Sequence, residues 1–305
     1  MTLPLALQQP ETASERIVLD GGERRKAIVS AIGAAKERVR LSMFRCTDFK
    51  VMDSLGEALE RKVNVELLLT QRAKGWEKKI RELGKFLESM GAQVYRYDYP
   101  GIKYHAKYLV VDEDVAIVTS GNLTLECFEE TQDFMVVTRN AGVVGGLSKI
   151  FDQDVVAPGN PLPAGTSPRL IVGPDNARKI IGDMLRSAKK TLRIVDHKIQ
   201  DVDMIEAVLG REKAGVDVKV YGRGSFSHKK SHGKLTIVDG ERAMFGSIAL
   251  SPNGLSKRRE LAIVIDDPAC VRTLAIFLDR SGPGNRAETV LAPKLKDDDD
   301  EDDDE

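Results

Sequence analysis

Two pairs of ionisable side chains recur in this chain at one spacing. HAKYLVVD starts at His105 and HGKLTIVD at His232, so each half carries H-x-K-x-x-x-x-D. In a strand, residues two apart share a face. His105 and Lys107 therefore project together, as do His232 and Lys234, ahead of an apolar run that enters the core. An imidazole that titrates near neutral pH can attack or move a proton. An ammonium beside it neutralises an anion and stabilises charge that builds on oxygen. Asp112 and Asp239 fall where the strands end and are expected to brace the turn rather than touch substrate. After six more residues come the small segments TSGN and GSIA, from Thr119 and Gly246. Such residues let backbone and hydroxyl groups approach an anion closely. Asp133 lies 28 residues after His105, and Glu260 lies 28 residues after His232. The equal interval suggests a His–carboxylate pair within each half, which would fix the ring tautomer. One such motif is an ordinary surface strand. Two, each with the same followers, argue for a site.

The motifs sit in an internal repeat. RKAIVSAIGAAKERVRL from Arg25 aligns with RKIIGDMLRSAKKTLRI from Arg178, an offset of 153 residues. The offset still holds at KVNVEL and GVDVKV but falls to 127 at the two motifs. So 26 residues of the first half lack a counterpart. That region reads as a helix, WEKKIRELGKFLESM, and a strand, QVYRY; the second half has only the polar loop RGSFSHKK. Strands are expected at 39–44, 63–69, 107–111, 115–119 and 134–138, and again at 192–195, 216–220, 234–238, 243–245 and 261–265. Strands alternating with helices imply α/β architecture, here two pseudo-symmetric βα halves with one sheet each. The expected division is a flexible arm at 1–14, a first half at 15–156, a Pro- and Gly-rich linker at 157–168, a trimmed second half at 169–283 and a disordered acidic tail at 284–305.

The chain has 305 residues and is 42% hydrophobic, enough for a sizeable core. No apolar run reaches the ~18 residues of a membrane-spanning helix. The start, MTLPLALQQP, has no basic flank and reads as a loose arm rather than a signal peptide. Cys46, Cys127 and Cys270 are far apart and odd in number, which points to reduced thiols and a cytoplasmic setting. Net charge is −1, but residues 297–305 are all acidic; without those nine the remainder carries +8. A basic body suggests an anionic partner.

The paired motifs resemble those of the phospholipase D superfamily, and the resemblance covers about residues 16–280. The family pattern is HxKxxxxD, six residues, then GSxN, twice per site. It implies a phospholipase D-like fold of two α/β halves with mixed sheets, flanking helices and one cleft where both motifs meet. It implies a phosphodiesterase working through a covalent phosphohistidine, with no metal and no cofactor. His105 is then the nucleophile and His232 the acid/base, with Lys107 and Lys234 on the phosphate. Asp133 and Glu260 orient the rings, and Ser120, Asn122 and Ser247 bind phosphate. Two departures stand out: Thr119 replaces the family Gly, and Ala249 replaces the second Asn.

The expected substrate is a phospholipid head-group diester, hydrolysed or transferred. The alternatives are a nuclease of the same superfamily and a non-catalytic polyanion-binding protein. Aromatics are only 5% of the chain and form no cluster for stacking bases. A monomer suffices for a complete site. Peripheral membrane contact needs only a basic patch, and RGSFSHKK, SKRRE and KGWEKK are candidates for one. His228 and His232 stand four apart, but no local carboxylate or Cys joins them, so they do not read as a metal pair. His197 aligns with Phe44 and reads as a strand-end residue near the cleft wall.

Overall fold

The structure is a computed structural model that describes residues 13–71, 75, 77–222, 224, 226, 229–292 and 294. His228, parts of RGSFSHKK and KGWEKK, most of the N-terminal arm and the run of acidic residues lie outside them. In chain order the first half runs β1 (Glu15–Val18), α1 (Gly21–Ala34), β2 (Arg38–Met43), α2 (Phe49–Glu60), β3 (Asn64–Thr70), α3 (Glu77–Ser89), β4 (Gln93–Tyr97), β5 (Lys103–Tyr104), β6 (Tyr108–Val111), β7 (Val115–Thr119), α4 (Leu125–Glu129), β8 (Thr131–Gln132), β9 (Met135–Thr138) and α5 (Ala141–Val156). The second runs β10 (Leu170–Val172), α6 (Ala177–Ser187), β11 (Thr191–Val195), α7 (Val202–Lys213), β12 (Asp217–Tyr221), β13 (Lys230–Ser231), β14 (Lys234–Val238), β15 (Arg242–Gly246), α8 (Pro252–Ser256), β16 (Arg258–Arg259), β17 (Leu261–Ile265), α9 (Pro268–Ser281) and α10 (Ala287–Leu291).

Among the described residues the first sheet has the order β1-β9-β7-β6-β2-β3-β4 and the second β10-β17-β15-β14-β11-β12. β2, β3 and β4 run parallel, as do β11 and β12; the other pairs within these sheets are antiparallel. One face of each sheet, with α5 and α9, closes a single central core. There Phe134 of the first half lies 6.2 Å from Phe245 and 6.1 Å from Phe277 of the second. The outer face of the first sheet packs under α1, α2 and α3, and that of the second under α6, α7 and α10. Both faces of each sheet are thus covered, which is why the strands read as continuous apolar runs. No helix of the described residues is long and apolar enough to cross a membrane.

The residues that recur in the repeat have structural work. Asp48 caps α2 and accepts from Arg25 Nε at 3.0 Å; Asp201 caps α7 and accepts from Arg178 at 2.7 Å. Asp112 accepts from the backbone N–H groups of Lys36, Glu37 and Arg38 at 2.8–2.9 Å. Asp239 does the same for Lys189, Lys190 and Thr191. Both sit at positive φ, 52° and 54°, which Asp tolerates better than most residues. Their carboxylates tie the β6–β7 and β14–β15 turns to the starts of β2 and β11.

The strands differ from the expected limits by one residue at most ends. β1 and β10 were not apparent: each is short and aperiodic, and each pairs with the last strand of its own half. The expected disordered tail is corrected over 284–292. Asn285 exchanges backbone hydrogen bonds with Val220 at 2.8 and 2.9 Å, and Ala287 and Leu291 of α10 are buried. The second half lacks the inserted α3 and β4, so β12 would be a bare edge. The C-terminal segment covers it instead.

A buried ion network crosses between the halves. Arg259 donates to Asp154 of α5 at 3.1 Å and to Asp175 at 2.7 Å. Burial pushes the Asp154 carboxyl up to about 6, against the pull of the Arg259 guanidinium. Removing one member of such a network strands the others. Arg259→Met is expected to cost about 3–5 kcal/mol in denaturant unfolding, and Arg259→Met/Asp154→Leu to recover much of it.

Candidate active site

Two short parallel ladders bring the motifs together. β5 pairs with β16, setting Tyr104 opposite Arg259, and His105 N–H then donates to Arg259 C=O at 2.9 Å. β13 pairs with β8, setting Ser231 opposite Gln132, and Gly233 N–H donates to Gln132 C=O at 2.8 Å. Each ladder joins one half to the other. His105 therefore meets Glu260, Nδ1 to Oε2 2.9 Å, and His232 meets Asp133, Nδ1 to Oδ1 2.8 Å. The sequence reading paired each His with the carboxylate of its own half; the structure crosses the pairs. The equal interval of 28 residues reflects the repeat and carries no information on which carboxylate faces which ring.

The lysines adopt matching postures. Lys107 Nζ donates to His105 C=O at 2.9 Å, and Lys234 Nζ to His232 C=O at 2.8 Å. Lys107 also lies 3.2 Å from His105 Nε2 and 5.4 Å from the centroid of Phe44, whose ring tilts against His105 at 4.6 Å.

The two carboxylates are both fully buried but differ in support. Burial opposes ionisation of Asp133. The His232 ring, the Arg24 guanidinium at 3.5 Å and the Thr131 hydroxyl outweigh it and hold the carboxyl well below the usual range. Ser120 Oγ adds a hydrogen bond at 2.7 Å. Gly121 permits this closeness, because a Cβ there would lie 2.9 Å from the Asp133 carboxyl. Glu260 has less support. Its Oε1 has no hydrogen-bond partner among the described residues, and Arg258 stands 4.0 Å away. Burial dominates and raises its pKa, partly offset by Lys107 and Arg258. On the cationic side, burial and then Lys107 and Arg258 push His105 well below its ordinary value. Burial lowers Lys107 to about 7, with Lys234 adding to the shift and Glu260 opposing it.

The expected phosphate ligands are placed differently. The Ser120 hydroxyl is taken by Asp133 and by Phe134 N–H at 2.9 Å; Ser247 Oγ accepts from Leu261 N–H at 3.1 Å. Both are buried and lock the wall behind the rings. Asn122 is buried, its Oδ1 without a hydrogen-bond partner among the described residues, whereas Ala249 lies between the core residues Ile248 and Leu250 and brings no amide. His197 is half-buried after β11. Arg24 escaped the sequence reading, which also gave Phe44 and Arg258 no role beside the rings. Arg24 had a signal: it aligns with Ala177, so only the first half could place a guanidinium there.

Cys127, Asp133 and His232 could each turn one atom toward a common point. Asp133 is already saturated, and burial pushes the Cys127 thiol up, keeping it protonated. The site gathers two crossed imidazole–carboxylate pairs, two lysines and a backing arginine.

Two mixed sheets share one core, and their motif strands meet beside it in a duplicated α/β fold. Residues 28–155 and 214–280 match the family described as "Cardiolipin synthase, PLD-like domain", and the chain belongs to this branch of the phospholipase D superfamily. It is 35% identical over 129 residues to cardiolipin synthase A of Pseudomonas aeruginosa, which is 41% of this chain and 26% of that protein. The match thus spans about a quarter of the curated relative's length. The fold resembles phosphatidylserine synthase of Haemophilus influenzae, with TM-score 0.69 and 11% identity over 95% of this chain and 93% of that one. It also resembles polyphosphate kinase of Porphyromonas gingivalis, with TM-score 0.70 and 18% identity over 92% of this chain and 55% of that one. At these identities the likeness is one of fold.

The crossed pairing has a direct spectroscopic signature. Glu260→Gln is expected to shift the ring ¹⁵N resonances of His105 and spare those of His232. Asp133→Asn is expected to do the reverse. The opposite assignment would mean that the pairs stay within each half.

Proposed function

We propose that the protein hydrolyses or transfers phospholipid phosphodiesters through a covalent phosphohistidine, with His105 as nucleophile and His232 as acid and base, and without a metal. The observation that carries this reading is the unequal support of the two rings. His105 is biased to the neutral form, and its Nδ1–H can donate to Glu260, leaving the Nε2 lone pair for attack. His232 faces Asp133, whose carboxyl is held ionised and fixes the ring so that its far nitrogen can exchange a proton with the leaving oxygen. In the first step His105 Nε2 bonds to phosphorus and the ester P–O bond breaks, while His232 protonates the departing alkoxide. Neutral His232 then takes a proton from water or an acceptor alcohol, whose oxygen attacks phosphorus. The P–N bond breaks and returns the pair of electrons to His105. Lys107 and Lys234 neutralise the non-bridging oxygens throughout.

A lipid substrate is favoured by the relatives, one named a cardiolipin synthase and one a phosphatidylserine synthase. The basic body alone does not favour nucleic acid, because many of its arginines are spent internally. Arg24, Arg40 and Arg259 are all buried in ion pairs. The site would work at a membrane surface reached from the aqueous side.

The deciding experiment offers phosphatidylcholine, phosphatidylglycerol, cardiolipin and single-stranded and duplex DNA, with EDTA present. Lipid cleavage or transfer is expected, falling at least about 10³-fold in His105→Ala and in His232→Ala. DNA cleavage with intact lipids would transfer the same chemistry to a nuclease, and EDTA inhibition would remove metal independence.

The pH profile tests the role order. His105 must be neutral to attack, so kcat/KM is lost as pH falls through its lowered pKa, below 6.5. Lys107 must be charged, so kcat/KM also falls as pH rises through about 7. Lys107→Arg keeps its charge and should move the alkaline limb upward. An alkaline limb that stays in place would assign it to another group.

A further inference from the structure

Three exposed apolar side chains stand at helix starts on the site end of the two sheets. β2 runs toward the site: Ser42 pairs with Tyr108, beside Lys107, and Phe44 packs on His105 at 4.6 Å. β11 does the same in the second half, where Val195 pairs with Leu235, beside Lys234. The helices that follow these strands therefore begin at this end. α2 opens on Phe49, 83% exposed, and α7 on Val202, 55% exposed. The two are aligned in the repeat at the offset of 153. β7 leads through Ser120 and Asn122 into α4, which opens on Leu125, 57% exposed. Leu123 C=O accepts from Thr47 N–H at 2.8 Å and from Asp48 N–H at 3.0 Å, so α2 and α4 start side by side. In the second half Pro252 holds the place of Leu125 and is also exposed.

Nothing local asks for these residues. The first turn of a helix favours acidic side chains, and Val is a poor helix former. A Phe ring left in water also forgoes the gain of burial. The charge around the tips points one way. Lys50 follows Phe49, and the ladder of β5 and β16, just before His105, sets Lys103 beside Lys257 and Arg258. The carboxylates near the tips are engaged: Asp48 by Arg25 at 2.9 Å, Asp203 by Arg178 at 3.0 Å and Glu126 by Lys230 at 3.4 Å. Apolar tips with cations near them suit the interfacial layer of an anionic bilayer. The apolar side chains enter the acyl boundary, and the cations stay among the phosphates. A protein bound over the same end would cover the half-buried His232 ring, which must meet the leaving oxygen. A bilayer covers it with the substrate.

We propose that Phe49, Leu125 and Val202 form a docking surface for an anionic bilayer and seat the site end of both sheets in its interfacial layer. The choice of a membrane over a protein partner rests on the lipid phosphodiesterase reading above, to which it adds the part of the molecule that meets the lipid. Duplication then serves twice: each half supplies a ring to the site and an apolar tip to the membrane.

The test uses the full chain with vesicles of phosphatidylglycerol or of phosphatidylcholine, and with a short-chain phosphatidylglycerol kept below its micelle concentration. Phe49→Ser, Leu125→Ser and Val202→Ser change exposed side chains and should leave thermal unfolding in place. Phe86→Ser, at an exposed position toward the far end of α3, is the control. Co-sedimentation with phosphatidylglycerol vesicles is expected to fall at least about tenfold in Phe49→Ser and further in the triple variant, and to hold in Phe86→Ser. In the triple variant kcat/KM on these vesicles should fall at least about tenfold more than on the monomeric lipid. Vesicle binding that survives in the triple variant would overturn the docking surface, and wild-type cleavage of the monomeric lipid would then leave the phosphodiesterase reading standing. Equal binding to phosphatidylcholine vesicles would overturn the anionic preference. A dimer that the triple variant loses, with no vesicle binding by the wild type, would give the face to a second copy and overturn the proposal. Vesicle binding through these residues with no lipid cleaved would uphold the surface and overturn the phosphodiesterase reading instead.

Discussion

Gln132 C=O accepts from Gly233 N–H, and Arg259 C=O accepts from His105 N–H. These two hydrogen bonds set the register on which the site depends. A slip of one residue in a ladder turns every side chain to the other face, and either His would then lose its carboxylate. Each ladder is only two residues long, too short to hold itself in water. The shared central core around Phe134, Phe245 and Phe277 and the buried Arg259 network hold them in place. Neither half therefore carries a complete imidazole–carboxylate pair by itself. Each supplies a ring whose partner belongs to the other.

Duplication alone would produce two equal rings, whereas nucleophile and acid must be unequal. The inequality lies in the layer behind the carboxylates. Arg24 stands behind Asp133, and Ala177 occupies the aligned place in the second half. Asp133 receives two hydroxyl hydrogen bonds, from Ser120 and Thr131, while Glu260 Oε1 finds no hydrogen-bond partner among the described residues. The same asymmetry runs outward to Asn122 against Ala249 and to the inserted helix and strand. On the proposed mechanism these differences are what divide one duplicated motif into two roles.

The sequence made legible whatever depends on local spacing. His and Lys two apart had to share a face. The paired offsets of 153 and 127 located the insertion as a helix and a strand, which are α3 and β4. What it could not carry was the partner across the interface. Asp133 stands at the same interval from His105 as Glu260 does from His232, so within-half and crossed pairing look identical on paper. The serines misled for a related reason. Their place beside an anion site suggested ligands, but the backbone of Phe134 and Leu261 claims their hydroxyls first. Residues 284–292 resemble a loop in composition, and only the exposed edge of β12 gives them a reason to order.

Charge shows why a whole-chain sum is a poor guide to the partner. The remainder of the chain carries +8 once its acidic end is set aside, but Arg25, Arg40, Arg178 and Arg259 are committed to carboxylates that cap helices or bridge elements. Each such pair is nearly neutral at a distance. The field at the rings is set instead by Lys107, Lys234 and Arg258, none of which is fully balanced by the raised Glu260. Charges in a dry pocket act through a much lower effective dielectric than those on the surface. On the proposed mechanism the buried Lys107 and Lys234 can therefore act on a phosphate more strongly than a larger number of exposed charges. Burial lowers the pKa of Lys107 to about 7, and the neighbouring Lys234 adds to the shift. On the same mechanism a bound phosphodiester would set negative charge beside Lys107 and so favour its ammonium.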